Sequence, residues 1–307
     1  ANPTPLRKML MMIYVVSLRR TRDRRKSIIS ELSTLGLSAR IVDAVDARLT
    51  KTEVLRNKAD EEALIRNTRR KVSNPELACA ISHRHVYEQI SMLGEYGAIV
   101  LEDDVKLPHR FLQAVTYFES VAHDIKTKRI VFHLHAFTPE AAHHFVLHRR
   151  NAFGAGPGLE FRRLNLFLST HPWGTAGYYV TQAAAASLLE DSKILSVADD
   201  WARWARRSEG KIYFSVPAVV IHPTIDAQSE IEEFRFPELR IMGDTLASRI
   251  TWALQWFARA AWRRIMANML RPLIRAASRQ PNLAPDRYPN SENSLSVDDT
   301  RNTRSKS

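Results

Sequence analysis

The chain has 307 residues, of which 45% are apolar, and this suits one large folded domain or two small ones. A single cysteine, Cys79, excludes an internal disulfide framework and is expected in a reducing compartment. The formal net charge of +12 indicates an anionic partner, which is a nucleic acid, a phosphate-bearing substrate or an anionic membrane. No stretch of the sequence is long and apolar enough to span a bilayer, so membrane contact is expected to be peripheral.

A β–α–β unit is predicted at the start of the chain. The apolar run at 11–18 predicts a buried strand, and because no small-residue cleavage site follows it, a signal peptide is not predicted. A basic helix begins near Arg19 and is expected to stop at Gly36, before a second strand at 38–45. This order predicts a parallel sheet. The basic start of the helix either holds a phosphate or is simply solvated.

Two segments of different character follow. Residues 50–72 are charged and helix-prone with little apolar periodicity, so they are predicted to form a surface excursion or a mobile loop. A helix is predicted next, capped by Ser73 or Asn74, and it carries Ser82 and His83. A single helical histidine is more often structural than catalytic.

The most informative stretch is YGAIVLEDDVKL at 96–107. An apolar run at 98–101, followed directly by Glu102, Asp103 and Asp104, predicts a buried strand with carboxylates at its C-terminal end. Three like charges at this place need a cationic partner, and a divalent metal is one such partner. Ligands of open α/β sheets also bind beyond the carboxyl ends of strands. The alternative is a solvated acidic turn.

Histidines cluster after the next predicted elements, a helix at 110–122 and a strand at 128–135. His133 and His135 share one face of that strand, and five histidines in all fall within 133–148. They have no cysteine partners and fit no familiar zinc spacing, so a zinc site is not predicted for them.

A turn of small and aromatic residues leads into a later strand and an alanine-rich helix. Its glycines would let a ligand approach the backbone, and an exposed tryptophan is a usual platform for a sugar ring. The alternative is a tight turn around a core tryptophan. The residues concerned are Trp173, Gly174, Thr175, Gly177 and Tyr178.

Paired acids and a histidine complete the candidate site residues. Asp199 and Asp200 precede a helix with two tryptophans. A single aspartate there would be explained by helix capping, but with two in succession one of them could have a catalytic role. A strand predicted at 211–221 ends in His222.

The segment 246–279 has seven arginines, no acid and three of the six tryptophans. Its apolar and basic residues fall on opposite sides of a helix, which predicts a basic amphipathic helix lying in an anionic membrane surface. The alternative is a helix packed on the domain with its basic residues solvated. Residues 280–307 are predicted to be a disordered tail. The predicted domains are therefore a catalytic domain at 9–240, the basic helical segment at 245–279 and this tail.

Four segments, in this order, resemble glycosyltransferase family 25, the lipopolysaccharide and lipooligosaccharide sugar transferases. They are IYVVSLRRTRDRR at 13–25, ELACAISH at 76–83, AIVLEDDV at 98–105 and WGTAGYYV at 173–180. VADDW at 197–201 resembles a fifth, looser element, and the similarity covers roughly residues 11–225.

The resemblance implies an α/β, GT-A-like fold: a single Rossmann-type domain with a central, mostly parallel sheet. It also implies an inverting reaction and a UDP-sugar donor, commonly UDP-galactose. A divalent metal, Mn²⁺ or Mg²⁺, would be held on the donor diphosphate by Asp103 and Asp104, with His222 as a further ligand. Three carboxylates are candidates for the base that takes the acceptor proton. Asp199 is the first choice, Asp200 the second and Glu102 the third.

Donor contacts are also implied by the resemblance. The first-strand segment would line the nucleotide pocket, and residues 173–178 would face the sugars. The donor-binding residues expected are Ser17, Leu18, Arg19, Arg24, Ser82, His83, Trp173, Gly174, Thr175, Gly177 and Tyr178.

These features together predict a cytoplasmic enzyme, associated peripherally with the inner membrane through 246–279. It would transfer galactose or a related hexose from a UDP-hexose donor to an oligosaccharide or lipid-linked oligosaccharide acceptor. The alternatives are a basic nucleic-acid-binding protein, a metal-dependent nucleotidyltransferase using the same acids, and a family member without activity. Nucleic acid is not the expected partner, because the predicted pocket is acidic and the positive charge is concentrated in the amphipathic helix.

Overall fold

The structure is a computed structural model that describes residues 11–135, 147–166 and 174–222, apart from the side chains of 148–151. Several predictions from sequence lie outside the described residues. These concern Trp173, the histidine side chains at 143, 144 and 148, and the segments 246–279 and 280–307.

Within the described ranges, eight strands form one sheet and seven helices accompany it. The strands are β1 (Ile13–Ser17), β2 (Arg40–Asp43), β3 (Gly97–Glu102), β4 (Ile130–His133), β5 (Leu147–Gly154), β6 (Glu160–Leu164), β7 (Gly177–Thr181) and β8 (Lys211–Val216). The helices are α1 (Arg22–Thr34), α2 (Thr52–Asn57), α3 (Glu61–Thr68), α4 (Asn74–Met92), α5 (Phe111–Ile125), α6 (Gln182–Leu188) and α7 (Trp201–Arg207). Each of these helices is too short or too polar to cross a bilayer.

The strand order is β2-β1-β3-β7-β4-β8-β6-β5, and the sheet is mixed. The predicted parallel pairing of β1 and β2 is confirmed, and β1–β3 and β4–β8 are also parallel. However, β7 is antiparallel to both β3 and β4, and β6 is antiparallel to β8 and β5. The expectation of a mostly parallel sheet is therefore corrected to a mixed one, because β7 enters the middle of the sheet from the opposite direction.

Both faces of the sheet are covered, which explains why its central strands are continuously apolar. One face packs against α1 and α5 through residues such as Ile28 and Phe118. The other packs against α4, α6 and α7 through residues such as Val86, Ala184 and Trp201. The carboxyl ends of β1 and β3 therefore emerge side by side from a fully buried layer.

The alternative of a mobile loop at 50–72 is wrong, whereas the helix-forming tendency of this stretch is confirmed. The stretch forms α2 and α3, and Leu55, Ala59 and Leu64 are buried in a separate apolar cluster shared with α4. Six- and eight-residue helices bury too few side chains to show a periodic pattern, and here the complementary apolar surface comes from α4.

The α4 helix begins as predicted. Ser73 is the N-cap, and with Glu76 it forms a reciprocal capping box in which each side chain accepts from the other residue's backbone N–H. Pro75 occupies the first turn, where a missing N–H costs nothing.

The predicted strand at 211–221 is shorter than expected. β8 stops at Val216, and Pro217 follows, which has no N–H to continue the ladder. The chain then returns to the sheet, where Ile221 bridges Lys106 just beyond β3. This return places His222 beside the acids that follow β3.

Candidate active site

The adjacent carboxyl ends of β1 and β3 bring the start of α1 against the acidic segment. Val16 pairs with Glu102 in register, so Ser17 and Asp103 become neighbours. The hydroxyls of Ser17 and Thr21 both donate to Asp103 Oδ2 at 2.7 Å. Asp103 is 8% exposed, and its carboxylate ties the end of β1 and the first turn of α1 to the end of β3.

Cationic groups from α1 balance part of the acidic charge. Arg24 Nη1 lies 3.7 Å from Asp103 Oδ1 and 3.6 Å from Asp104 Oδ2. Arg25 donates to the Ser17 carbonyl at 3.0 Å and to Asp43 Oδ1 at 2.8 Å. The arginines that follow the first strand are therefore placed against carboxylates of β2 and β3.

Three residues offer metal-ligand atoms that face one another: Glu102, Asp104 and His222. One ligand atom from each lies within 4.8 Å of the other two. Asp104 Oδ1 is withdrawn from solvent, makes no hydrogen bond and lies 3.8 Å from His222 Nε2. Burial and then repulsion by Glu102 raise the pKa of Asp104 to about 6, against the attraction of His222 and Arg24. Two carboxylates and an imidazole with one orphaned oxygen fit a divalent cation.

Glu102 is held in its ionised form by its neighbours. Thr175 donates its hydroxyl to Glu102 Oε1, and His83 Nε2 lies 3.6 Å from the same oxygen. Burial opposes ionisation, but the interactions with His83 and Thr175 and the charge of His222 outweigh it and lower the pKa of Glu102 to about 2. So weakly basic a carboxylate is better suited to binding a cation than to accepting a proton.

Two buried tyrosines lie on the Nδ1 side of the His83 ring. Its Nδ1 is 2.8 Å from the Tyr178 hydroxyl, which lies 2.9 Å from the Tyr87 hydroxyl. His83 is 1% exposed and Tyr178 is 0% exposed. Tyr178, predicted to face a sugar, is instead a core residue that orients His83.

The turn before β7 is positioned by the segment around α7. The Gly174 N–H donates to Asp199 Oδ2 at 3.0 Å, and Trp201 Nε1 donates to the Gly174 carbonyl at 2.9 Å. Gly174 has a φ of +101°, and a Cβ there would lie 2.9 Å from His135 Nε2. Only glycine suits this position, and the resulting turn presents Thr175 to Glu102.

Asp200 acts as a helix cap. Its Oδ1 accepts from the Arg203 N–H at 3.3 Å, and its Oδ2 accepts from Ser196 Oγ at 2.6 Å. Both carboxylate oxygens are thus used at the start of α7, whereas Asp199 faces the Gly174 turn.

Other residues predicted to bind the donor have packing roles. Ser82 accepts from the Val45 N–H at 2.9 Å and donates to the Ala78 carbonyl at 2.6 Å, so it holds the chain after β2 against α4. A Cβ at Gly177 would lie 2.9 Å from Val220 Cγ1, in the segment that returns to β3. Gly177 therefore allows the close approach that brings His222 to the site.

A cleft of about 390 Å³ opens beside the β1–α1 turn. It is lined by Arg19, Arg20, Arg22, Asp46, Leu49 and Thr50. Arg19 is 81% exposed and bonds Asp43 at 2.8 Å, while Arg20 bonds Asp46 at 2.7 Å. Leu18 contributes its carbonyl, which accepts from the Thr21 backbone N–H at 3.2 Å and so shapes the turn.

Two functional neighbours, Thr21 and Tyr87, are not among the site residues named from the sequence, although Thr21 lies in the segment 17–24 expected to line the nucleotide pocket. Thr21 stands at the N-cap position of α1, where a threonine is a recognisable signal, but its hydroxyl serves Asp103 rather than the helix. Tyr87 lies four residues after His83 on the same helix face, and only the position of Tyr178 shows its role.

Helices cover both faces of a mixed sheet that carries a carboxylate–imidazole group at its strand ends, and a family match identifies the class of protein. Residues 11–202 match glycosyltransferase family 25 (LPS biosynthesis protein). The chain belongs to glycosyltransferase family 25.

Individual relatives share parts of this domain. Probable inactive glycosyltransferase 25 family member 3 of Rattus norvegicus is 28% identical over 127 residues, which are 40% of this chain and 21% of the relative. A glycosyltransferase 25 family member of Aedes aegypti is 23% identical over 185 residues, 59% of this chain and 28% of the relative. Procollagen galactosyltransferase 2 of Homo sapiens is 29% identical over 104 residues, 32% of this chain and 16% of the relative. The chain thus spans well under a third of the length of these relatives.

Proposed function

We propose that this protein is an inverting, GT-A-like hexosyltransferase that moves galactose from UDP-galactose to a lipopolysaccharide or lipooligosaccharide acceptor. The family description supports the acceptor class, and the name of the human galactosyltransferase relative supports the sugar. The observation that carries the proposal is the group formed by Glu102, Asp104 and His222 at the carboxyl end of β3. Family membership alone does not establish activity, because a relative named inactive also matches this chain, so the proposal rests on this group of side chains.

The proposed cation ligands are Glu102, Asp104 and His222, and the cation is Mn²⁺ or Mg²⁺. Asp103, predicted from sequence as a ligand, has the role of organising the β1–α1 turn, because two hydroxyls already occupy its Oδ2. A bound divalent ion would offset the negative charge that develops on the UDP leaving group.

The nucleotide is proposed to occupy the arginine-lined cleft beside the β1–α1 turn. Parallel strands β1 and β2 end at the same edge of the sheet, where α/β proteins bind nucleotides. Arg19, Arg20 and Arg24 supply positive charge at this edge, and the bond between Ser17 and Asp103 keeps the turn in place. Arginine is suited to phosphate because its planar fork matches phosphate oxygens.

Asp199 is the proposed general base. Asp200 has both oxygens engaged in capping α7, and Glu102 is too weakly basic and is assigned to the cation. Asp199 would take the proton of the acceptor hydroxyl as its oxygen attacks the anomeric carbon, and UDP would leave from the opposite face. That displacement inverts the anomeric configuration.

The domain limits and the membrane contact remain proposals from sequence. The catalytic domain is placed at 9–240, and the basic segment at 245–279 is proposed to hold the enzyme against an anionic cytoplasmic leaflet, with a tail at 280–307. Deletion of 246–307 is expected to abolish sedimentation with vesicles containing anionic lipid. Retention of the shortened chain on those vesicles would contradict the membrane proposal.

Calorimetric titration with UDP-galactose, UDP-glucose and UDP-N-acetylglucosamine, with and without Mn²⁺, tests the donor assignment. UDP-galactose is expected to bind most tightly, and Mn²⁺ is expected to strengthen binding about tenfold or more, because a cation held by the carboxylates would offset the negative charge of the diphosphate. Absence of binding by every UDP-sugar in both conditions would overturn the proposal. ATP serves as the control nucleotide and is expected to bind more weakly.

A further inference from the structure

A second group of metal-ligand atoms lies on the α4 side of Glu102. Cys79 and His83 are four residues apart in α4, so their side chains project from the same helix face. Cys79 Sγ, an imidazole nitrogen of His83 and a carboxylate oxygen of Glu102 all lie within 4.8 Å of one another. Cys79 as a residue is of intermediate exposure.

His83 supplies an independent indication that this group takes a ligand. The residue is 1% exposed, yet its Nε2 makes no hydrogen bond and lies 3.6 Å from Glu102 Oε1. A buried polar atom that makes no hydrogen bond is costly unless a ligand satisfies it. Meanwhile Nδ1 is held 2.8 Å from the Tyr178 hydroxyl, so the ring is fixed with Nε2 directed at the group. Ligating histidines are usually fixed in this way through their other ring nitrogen.

We propose that Cys79, His83 and Glu102 form a binding site for a thiophilic divalent cation such as Zn²⁺. One sulfur, one nitrogen and one oxygen ligand make up the mixed set that Zn²⁺ accepts, with a fourth position left for water. The oxygen-rich group around Asp104 suits Mn²⁺ or Mg²⁺ instead. On binding, the Cys79 thiol releases its proton to solvent and coordinates as the thiolate.

The two cation sites share Glu102, and this has a regulatory consequence that rests on the proposed function. A carboxylate engaged by Zn²⁺ on the α4 side is less available to the cation at Asp104 and His222. Zn²⁺ therefore opposes Mn²⁺, and sugar transfer falls as the site at Cys79 fills.

Cobalt absorption spectroscopy on the full chain tests the site directly. Cys79 is the one cysteine in the sequence, so a near-ultraviolet thiolate-to-Co²⁺ charge-transfer band can arise from no other residue. Titration with Co²⁺ under a non-thiol reductant is expected to produce this band at one equivalent, and Zn²⁺ is expected to remove it by displacement. Failure of the band to form, or its persistence at excess Zn²⁺, would overturn the proposal.

Variants separate this site from the neighbouring one. Cys79→Ser is expected to abolish the cobalt band and to weaken Zn²⁺ binding at least about tenfold in calorimetry, while Mn²⁺ affinity stays within about twofold. His83→Gln is expected to weaken the band, and His85→Gln, two residues further along α4, serves as the matched control that keeps it. Equal Zn²⁺ affinity in Cys79→Ser and in the unmodified chain would refute the site.

The cobalt experiment also distinguishes failure of the zinc site from failure of the proposed transferase function. The cobalt band requires no UDP-sugar, so it is expected even if donor titration fails. Conversely, donor binding without the cobalt band would refute this inference and leave the transferase proposal intact.

Discussion

Glu76 and Asp104 are both carboxylates withdrawn from solvent, but their surroundings differ in kind. Glu76, which is 4% exposed, pairs with Arg70 and accepts from the Ser73 N–H at 3.0 Å and from its hydroxyl at 2.9 Å. Asp104 instead has an oxygen without a hydrogen bond, and Arg24 Nη1 and His222 Nε2 lie 3.6 and 3.8 Å from its carboxylate.

The pKa values of these two groups move in opposite directions. Burial opposes ionisation of Glu76, but the hydrogen bonds and charge of Arg70, together with Ser73, outweigh it and lower the pKa. Burial and the charge of Glu102 raise the pKa of Asp104 to about 6. A buried acid whose oxygens are hydrogen-bonded within the chain stabilises the fold, whereas a buried acid with an oxygen left without a hydrogen bond indicates a place for a ligand.

The largest expected effect is on sugar transfer, from Asp104→Asn. This change removes one charge from the proposed cation group without changing the side-chain volume. Transfer from UDP-galactose is expected to fall at least about a hundredfold, because even residues behind metal ligands contribute ten- to hundredfold. The free energy of unfolding is expected to stay equal or to rise, since repulsion by Glu102 is removed.

The matched control is Asp124→Asn, at an aspartate whose side chain is 79% exposed near the end of α5. It is expected to change neither activity nor stability measurably. Steady-state kinetics and urea denaturation of both variants give the comparison. If Asp104→Asn kept full activity but lost stability, Asp104 would be a structural acid like Glu76.

The next largest effect is on stability, from Arg70→Met. This change leaves Glu76 buried without its counterion, and the free energy of unfolding is expected to fall by about 3–5 kcal/mol. The loss should depend on pH. Because Arg70 keeps the folded-state pKa of Glu76 low, the stabilisation is present above the unfolded pKa of about 4.3 and disappears as pH falls through the folded pKa.

Urea denaturation between pH 3 and pH 7 measures both parts of this prediction, with Arg48→Met as the control at an exposed arginine. The free energy of unfolding of the control is expected to lie within about 0.5 kcal/mol of that of the unmodified protein at every pH. The difference in the free energy of unfolding between the unmodified protein and Arg70→Met should become smaller below about pH 4. If this difference were small at pH 7, or became larger in acid, the pair formed by Arg70 and Glu76 would not stabilise the fold.

Local signals in the sequence were sufficient for several elements. The cap at Ser73, the buried strand before Glu102 and the parallel pairing of β1 with β2 all follow from residues close together in the chain. Their physical causes, which are capping hydrogen bonds and apolar periodicity, act over a few residues. The segment at 50–72 could not be predicted in the same way, because its burial depends on the surface of α4.

The sequence by itself determined that three carboxylates follow a buried strand, and its motifs indicated family 25. It left undecided which of Asp103 and Asp104 would contact a cation directly. Only the tertiary structure decided which groups each of these carboxylates contacts. The start of α1 brings hydroxyls to Asp103, and the chain returning after β8 brings His222 to Asp104. These partners come from distant parts of the chain, so their meeting depends on the strand order of the sheet and on the packing at Gly177.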